Sequence, residues 1–242
     1  MSPVVGVLVP AAGLGVRLGA GAPKALRTLA GEPLLVHAVR GLRATPSVGP
    51  VVVAAPAAEV TAVQALLAPY DVAVVAGGAE RQHSVRAALA ALDPAVDLVL
   101  VHDAARCLAP AELVETVVAC LRGGAEAVVP VLPVADTVKS VDGARVLATL
   151  DRSSLRAVQT PQGFRRDVLE RAHAASVQHS PGRPDAAPPV ATDDAGLVEA
   201  LGVSVCTVAG HEEAFKVTRP LDLLLAEAVL ALRAPAQGRH AG

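Results

Sequence analysis

The sequence predicts an α/β fold with a mostly parallel central sheet flanked by helices and a protruding β-arm. Three observations carry that expectation. Val4–Val9 is a short unbroken apolar run, the mark of a strand buried on both faces. Strand-like and helix-like segments then alternate as far as Val134, which is the βαβ series of a parallel sheet with right-handed crossovers. The alternation lapses at Ala135–Leu150, where a Val141-Asp142-Gly143-Ala144 turn joins two short runs with few large apolar residues. That stretch reads as an arm, packed on its own domain or reaching to a second subunit.

Taken in order, Val4–Val9 is the first strand and Leu34–Arg43 the first helix. Val51–Ala54, Val72–Val75 and Leu98–Val101 are further strands, separated by helices at Glu59–Leu67 and Arg81–Leu92. Leu113–Leu121 is helical and Ala127–Val134 a strand. Leu155–Thr160 returns to the sheet, and Pro161-Gln162-Gly163-Phe164 turns into a helix over Arg165–Ala175. Ser176–Pro189, rich in Ser, Pro and Gly, reads as a mobile surface loop. Thr192 caps a helix whose first turn carries Asp193 and Asp194. Val203–Val208 and Phe215–Thr218 read as edge strands, and Pro220–Leu232 as a last helix begun by proline.

Composition narrows the function. Hydrophobic residues make up 52% of the 242 but aromatic ones only 1%, so the core is Val, Leu and Ala, and stacking on nucleic-acid bases is excluded as a main activity. A net charge of −2 gives no global attraction to nucleic acid or anionic membrane. Cys107, Cys120 and Cys206 show no C-x-x-C spacing, so neither a disulfide framework nor a zinc site is indicated. No apolar run reaches the length of a membrane span, and a reducing cytoplasm is the expected compartment.

Pro10 to Lys24, PAAGLGVRLGAGAPK, begins where the first strand ends and is the strongest local signal. Gly13 and Gly15 let backbone N–H groups approach a polyphosphate, and Arg17 and Lys24 add the charge that neutral amides lack. Gly13, Gly15 and Gly19 are one residue too widely spaced for a dinucleotide fingerprint, and Lys24 lacks the G-K-[ST] context of a P-loop. The plainer alternative is a flexible connection.

Ligands of parallel sheets sit beyond the carboxyl ends of the strands, which puts Pro10–Lys24, Gly77–Ser84 and His102–Arg106 on one rim. Asp103, at a strand end near phosphates, suits magnesium, and Arg106 could fork onto a phosphate; the alternative is a turn cap paired with Arg106. Gly78 and Ser84 could read a base edge, against the alternative of ordinary glycines before a helix. Glu213 and Lys216 frame Phe215–Thr218, and Lys216 is one of only three lysines. With no Ser-His-Asp or Cys-His pair, phosphoryl or nucleotidyl transfer by positioning and charge stabilisation fits best.

PAAGLGVRLGAGAPK, GGAERQHSV, VHDAAR, PVADTVK, DRSSLRAVQTPQGF, TDDAG and FKVTRPLD, in this order, resemble the 2-C-methyl-D-erythritol 4-phosphate cytidylyltransferase family, IspD, from about Val4 to Leu232. The resemblance implies a Rossmann-like nucleotidyltransferase fold, one domain over residues 1–233 with the arm at 135–152, and a tail at 234–242. It implies CTP and methylerythritol phosphate as substrates, Mg²⁺, and a homodimer joined through the arm. By motif, Ala11, Ala12, Gly13, Gly15, Gly78 and Ser84 would bind the nucleotide. Arg17, Lys24 and Lys216 would be catalytic, and Asp103, Arg106, Thr137, Arg152 and Thr160 would bind the acceptor. Asp103 and Glu213 would serve the metal, with Thr137 and Arg152 coming from the partner subunit.

Two positions depart from the family pattern: His83 stands where Asp is usual, and Ala214 where Asn is common. The competing readings are a ribitol 5-phosphate cytidylyltransferase and, from another class, a nucleotide-binding module without turnover.

Overall fold

Alternation within the strands explains why the sheet is covered on both sides. In β1 (Val5–Pro10) the side chains of Val5, Val7 and Val9 enter one core layer while Leu8 enters the other. The computed structural model that defines this fold describes residues 4–13, 23–178 and 192–233. After β1 come a minimal ribbon of β2 (Thr28–Leu29) and β3 (Glu32–Pro33), then α1 (Leu34–Arg43) and β4 (Val51–Ala55). Next are α2 (Val60–Leu67), β5 (Ala73–Ala76), α3 (Arg81–Ala91), β6 (Leu98–Val101), α4 (Ala111–Arg122) and β7 (Ala127–Pro133). The arm is β8 (Val138–Asp142) and β9 (Arg145–Leu150), followed by β10 (Arg156–Val158), β11 (Gln162–Arg165), α5 (Arg166–Gln178), α6 (Asp194–Glu199), β12 (Val205–Ala209) and α7 (Pro220–Arg233).

The sheet runs β5, β4, β1, β6, β11, β7, β12, and β10 pairs with the second half of β7. β1 is parallel to β4 and β6, and β12 is parallel to β7; β10 and β11 are antiparallel to their neighbours. One layer holds α1, α2 and α4. In α4 the buried set Leu113, Val114, Val117, Val118 and Leu121 keeps the i, i+3, i+4 spacing of a helix with one apolar stripe. The opposite layer holds α3, α5 and α6 through Val85, Leu89, Leu169 and Val198, with Phe164 fully buried among them. A third cluster, including Leu34, Leu108, Val217 and Ala226, seats α7.

Four expectations are corrected. Gln162–Arg165 is a strand and not a turn, wedged antiparallel between β6 and β7. Gly163 makes that insertion possible, because a Cβ there would stand 2.6 Å from Val117 Cγ1 and 2.8 Å from Leu121 Cδ1. Phe215–Thr218 is not a strand; it follows a 3-10 turn at Glu212–Ala214 and has no ladder partner among the described residues. Asp193 and not Thr192 caps α6, its carboxylate accepting from Gly196 N at 2.9 Å. Ser176 to Gln178 extends α5. Residues 179–189 of the expected loop, the tail, and the expected site residues Gly15 and Arg17 lie outside the described residues.

Among the described residues the arm is a hairpin paired only within itself, turned at Gly143 with φ +55. Val141, Val146, Leu147 and Leu150 are all exposed on it, between 41% and 59%.

Candidate active site

β1, β4 and β6 are parallel, so their carboxyl ends converge on one rim, and a pocket of about 270 Å³ opens there. Pro10–Gly13 form one wall, Lys24 and Ala25 the mouth, Gly78–Arg81 with Ser84 a second wall, and Asp103–Ala105 with Lys216 the floor. Lys24 N donates to Gly13 O at 3.2 Å, so the two ends of the glycine-rich stretch meet at the mouth. A Cβ on Gly77 would sit 2.7 Å from Ala12 Cβ, so this wall approaches the first as closely as it does only with glycine. Ser84 Oγ accepts from Gly78 N at 3.1 Å and lies 3.2 Å from Glu80 O as a donor, which fixes the turn ahead of α3.

Asp103 lies at the centre of the charge. Its Oδ2 is 2.7 Å from Lys216 Nζ and its Oδ1 is 3.2 Å from Arg81 Nε. Burial alone would raise its pKa, but Arg81, Lys216 and then Arg106 outweigh it and hold the carboxyl well below the usual carboxylate range. Behind it, Asp103 N donates to Thr160 Oγ1 at 3.0 Å, and Thr160 Oγ1 is 3.3 Å from His102 Nδ1. Burial pushes the His102 imidazole down to about 4, so it is neutral near pH 7. The arrangement is a fixed anion between two cations beside a glycine-walled cleft, suited to stabilising charge on a polyphosphate and to no protein nucleophile.

The family model described as IspD, 2-C-methyl-D-erythritol 4-phosphate cytidylyltransferase, matches residues 5–232. The chain belongs to the IspD family. It is 58% identical over 236 residues to a Frankia casuarinae protein bearing that enzyme name, covering 97% of this chain and 84% of that one. Among solved structures, the IspD enzyme of Thermus thermophilus superposes with TM-score 0.72 at 37% identity, covering 93% of this chain and 98% of that one. The 4-diphosphocytidyl-2C-methyl-D-erythritol synthase of Anaerococcus prevotii gives TM-score 0.81 at 25% identity, covering 96% and 100%. Membership in IspD makes the chain a nucleotidyltransferase of isoprenoid biosynthesis.

The expected IspD residues that lie among the described ones divide into three groups: those that line the pocket, those that brace it and those that lie away from it. Ala11, Ala12, Gly13, Lys24, Gly78, Ser84, Asp103 and Lys216 line the pocket together, and Thr160 supports Asp103 from behind. Arg106 is a brace: Nη1 donates to Ala214 O at 2.8 Å and Nη2 to Val158 O at 3.1 Å, while its buried Nε has no partner among the described residues. Glu213 pairs with Arg233 and does not line the pocket.

Thr137 and Arg152 are also absent from this pocket. Arg152 lines a separate open hollow of about 520 Å³ at the base of the arm and donates to Ala135 O. His83 is exposed on α3, and the buried Ala214 contributes its carbonyl, so the two departures of this IspD chain leave the Asp103–Lys216 pair intact. Two residues carry a role that sequence reasoning missed. Arg81 joins Asp103 to Asp194, and Asp194 is fully buried on α6. The available signal was the RQHS run opening a helix on the rim.

Proposed function

We propose that the chain transfers CMP from CTP to 2-C-methyl-D-erythritol 4-phosphate by in-line attack of the acceptor's phosphate oxygen on the α-phosphorus, releasing pyrophosphate. The observation that carries this is Asp103, held between Lys216 and Arg81 on the rim that faces the Gly13–Lys24 junction. Gly13 and Gly15 cradle the triphosphate, Arg17 and Lys24 neutralise the charge that grows at the α-phosphorus, and Gly78 and Ser84 bound the cytosine. Lys216 orients the acceptor phosphate, and Thr160 holds the Asp103 backbone in register. The nucleophile belongs to the substrate, so the protein's work is alignment and charge compensation.

Mg²⁺ fits this residue set. Among the described residues no three His, Cys, Asp or Glu side chains cluster, but Mg²⁺ takes one or two carboxylates and completes its shell with phosphate oxygens and water. Asp103, ionised and facing the pocket, would hold it; Glu213 would join only after leaving Arg233. When bound it supplies Lewis-acid charge to the triphosphate oxygens.

Residues 1–233 act as one catalytic domain in the cytoplasm, and two copies pair through the arm at 135–152. Thr137 and Arg152 then complete the acceptor site of the opposite protomer, with Arg106 closing its protein side. In support, the arm exposes four large aliphatic side chains, and neither Thr137 nor Arg152 reaches this chain's own pocket.

The test is pyrophosphate release with CTP and Mg²⁺, offering methylerythritol phosphate and ribitol 5-phosphate in parallel. Release only with the former is expected, and Lys24→Ala loses turnover at least ~100-fold. Release only with ribitol phosphate moves the acceptor to the other sugar phosphate. Silence with both favours the binding module.

A further inference from the structure

A buried chain of charge runs from α5 to the floor of the pocket. His173 Nε2 lies 2.9 Å from Asp194 Oδ1, Asp194 Oδ2 lies 2.5 Å from Arg81 Nη1, and Arg81 Nε lies 3.2 Å from Asp103 Oδ1. A carboxylate can only accept, so Nε2 carries the His173 proton. Asp194 is fully buried and His173 nearly so, and neither lines the pocket. α6 is itself pinned to the sheet, since Gln162 Nε2 donates to Asp193 at 2.7 Å and Ala195 N donates to Gln162 Oε1 at 3.2 Å. Asp194 is therefore a fixed anchor, and Arg81 is a guanidinium fork with one tine on the anchor and one on the site.

We infer that Asp194, oriented by His173, is a positioning residue that acts through Arg81 to fix the Asp103 carboxylate for the transfer. Asp103 needs an orientation that Lys216 alone does not define, because an ammonium is a rotatable point charge on a flexible stem. A guanidinium held at two points restricts Asp103 in a plane and keeps Arg81 from collapsing fully onto it. Asp194 touches no substrate-facing space, so its contribution exists only while Arg81 is present. The inference rests on the reading above that Asp103 serves the reacting groups.

That conditional character sets the experiment, a double-mutant cycle on the full chain with Asp194→Asn, Arg81→Ala and both together. Asp194→Asn lowers kcat by about 10- to 100-fold, the range for a small misplacement of a reacting group, while the calorimetric Kd for CTP with Mg²⁺ stays within about threefold. In the Arg81→Ala background the same substitution changes kcat less than about twofold. An equal loss of kcat in both backgrounds, or no loss from Asp194→Asn alone, overturns the inference. Should Asp194→Asn fail to fold, His173→Gln takes its place in the same cycle, with a smaller loss that also vanishes without Arg81. Asp103→Asn separates the two levels: retained turnover defeats the reading of Asp103, whereas lost turnover with an additive cycle defeats only the role of Asp194.

Discussion

Lys216 Nζ stands 2.7 Å from Asp103 Oδ2 although Lys216 lies on a segment with no strand to support it. Two bonds, one on either side of Lys216, supply the support. Arg106 Nη1 donates to the Ala214 carbonyl at 2.8 Å, and Val217 N donates to Ala105 O at 2.9 Å. Both partners sit within three residues of Asp103 on the same rim, so the loop that carries the acid also anchors the lysine. The pair is thus positioned by one side-chain-to-carbonyl bond and one backbone bond, both from the loop that carries the acid.

Removing the lysine therefore removes charge without removing the scaffold. Lys216→Ala is expected to lower turnover at least ~100-fold, since one preorganised electrostatic group of this kind is worth about that much. Stability should fall by no more than about 1–3 kcal/mol, because the Lys216 side chain is 40% exposed and the buried Asp103, at 11%, keeps Arg81 as a partner. Steady-state kinetics and a urea midpoint on the same preparation check both halves. A large fall in the midpoint would make Lys216 structural.

Much of this was legible in the residues, for physical reasons that differ by element. β1, β4 and β6 are continuous apolar runs because both faces are buried, and α1 runs over Leu34–Arg43 as expected. β11 was not legible: with only four residues, Gln and Gly among them, it has no strand composition, and its place comes from the gap between β6 and β7 that only Gly163 can enter. Phe215–Thr218 misled in the opposite direction, an alternating run that finds no neighbour to pair with among the described residues. Arg81 and Asp194 meet across 113 positions, and no local spacing encodes that contact.

The fit at Gly163 gives a stability prediction. Gly163→Ala places a methyl carbon against Val117, Leu121 and Leu100 at distances of 2.6, 2.8 and 3.2 Å. These neighbours belong to a packed layer, so either α4 shifts or β11 does, at a cost of about 1–3 kcal/mol. Urea unfolding of the two proteins should register this as a lower midpoint at unchanged slope. An unchanged midpoint would mean that α4 moves freely.

The cysteines predict a pH dependence. Burial pushes the Cys107 thiol up to about 12, whereas Cys206 is exposed on β12. At pH 8 Cys107 is thiolate in only about one molecule in ten thousand, so iodoacetamide should modify Cys206 in the native protein and reach Cys107 only after unfolding. The sign for stability follows from the same shift. Cys107 keeps its proton in the folded state while the unfolded thiol ionises from about pH 9, so its contribution is constant below that and is lost as pH rises toward 12. Alkylation of native Cys107 at the rate of Cys206 would contradict the burial.

The arm allows the dimer and the shared site to be tested together by mixing two dead proteins. Lys24 lies in the pocket and Arg152 at the arm base, and the two line separate hollows of the same chain. If each active site combines one protomer's pocket with its partner's arm, Lys24→Ala and Arg152→Ala homodimers are each inactive. A mixed dimer, however, has one site with both lesions and one with neither. Random reassortment makes half the dimers mixed, so unfolding and refolding the two together should restore about a quarter of the wild-type turnover. Were pocket and arm of a site drawn from the same chain, every site in the mixture would carry one lesion and activity would stay at the level of the parents.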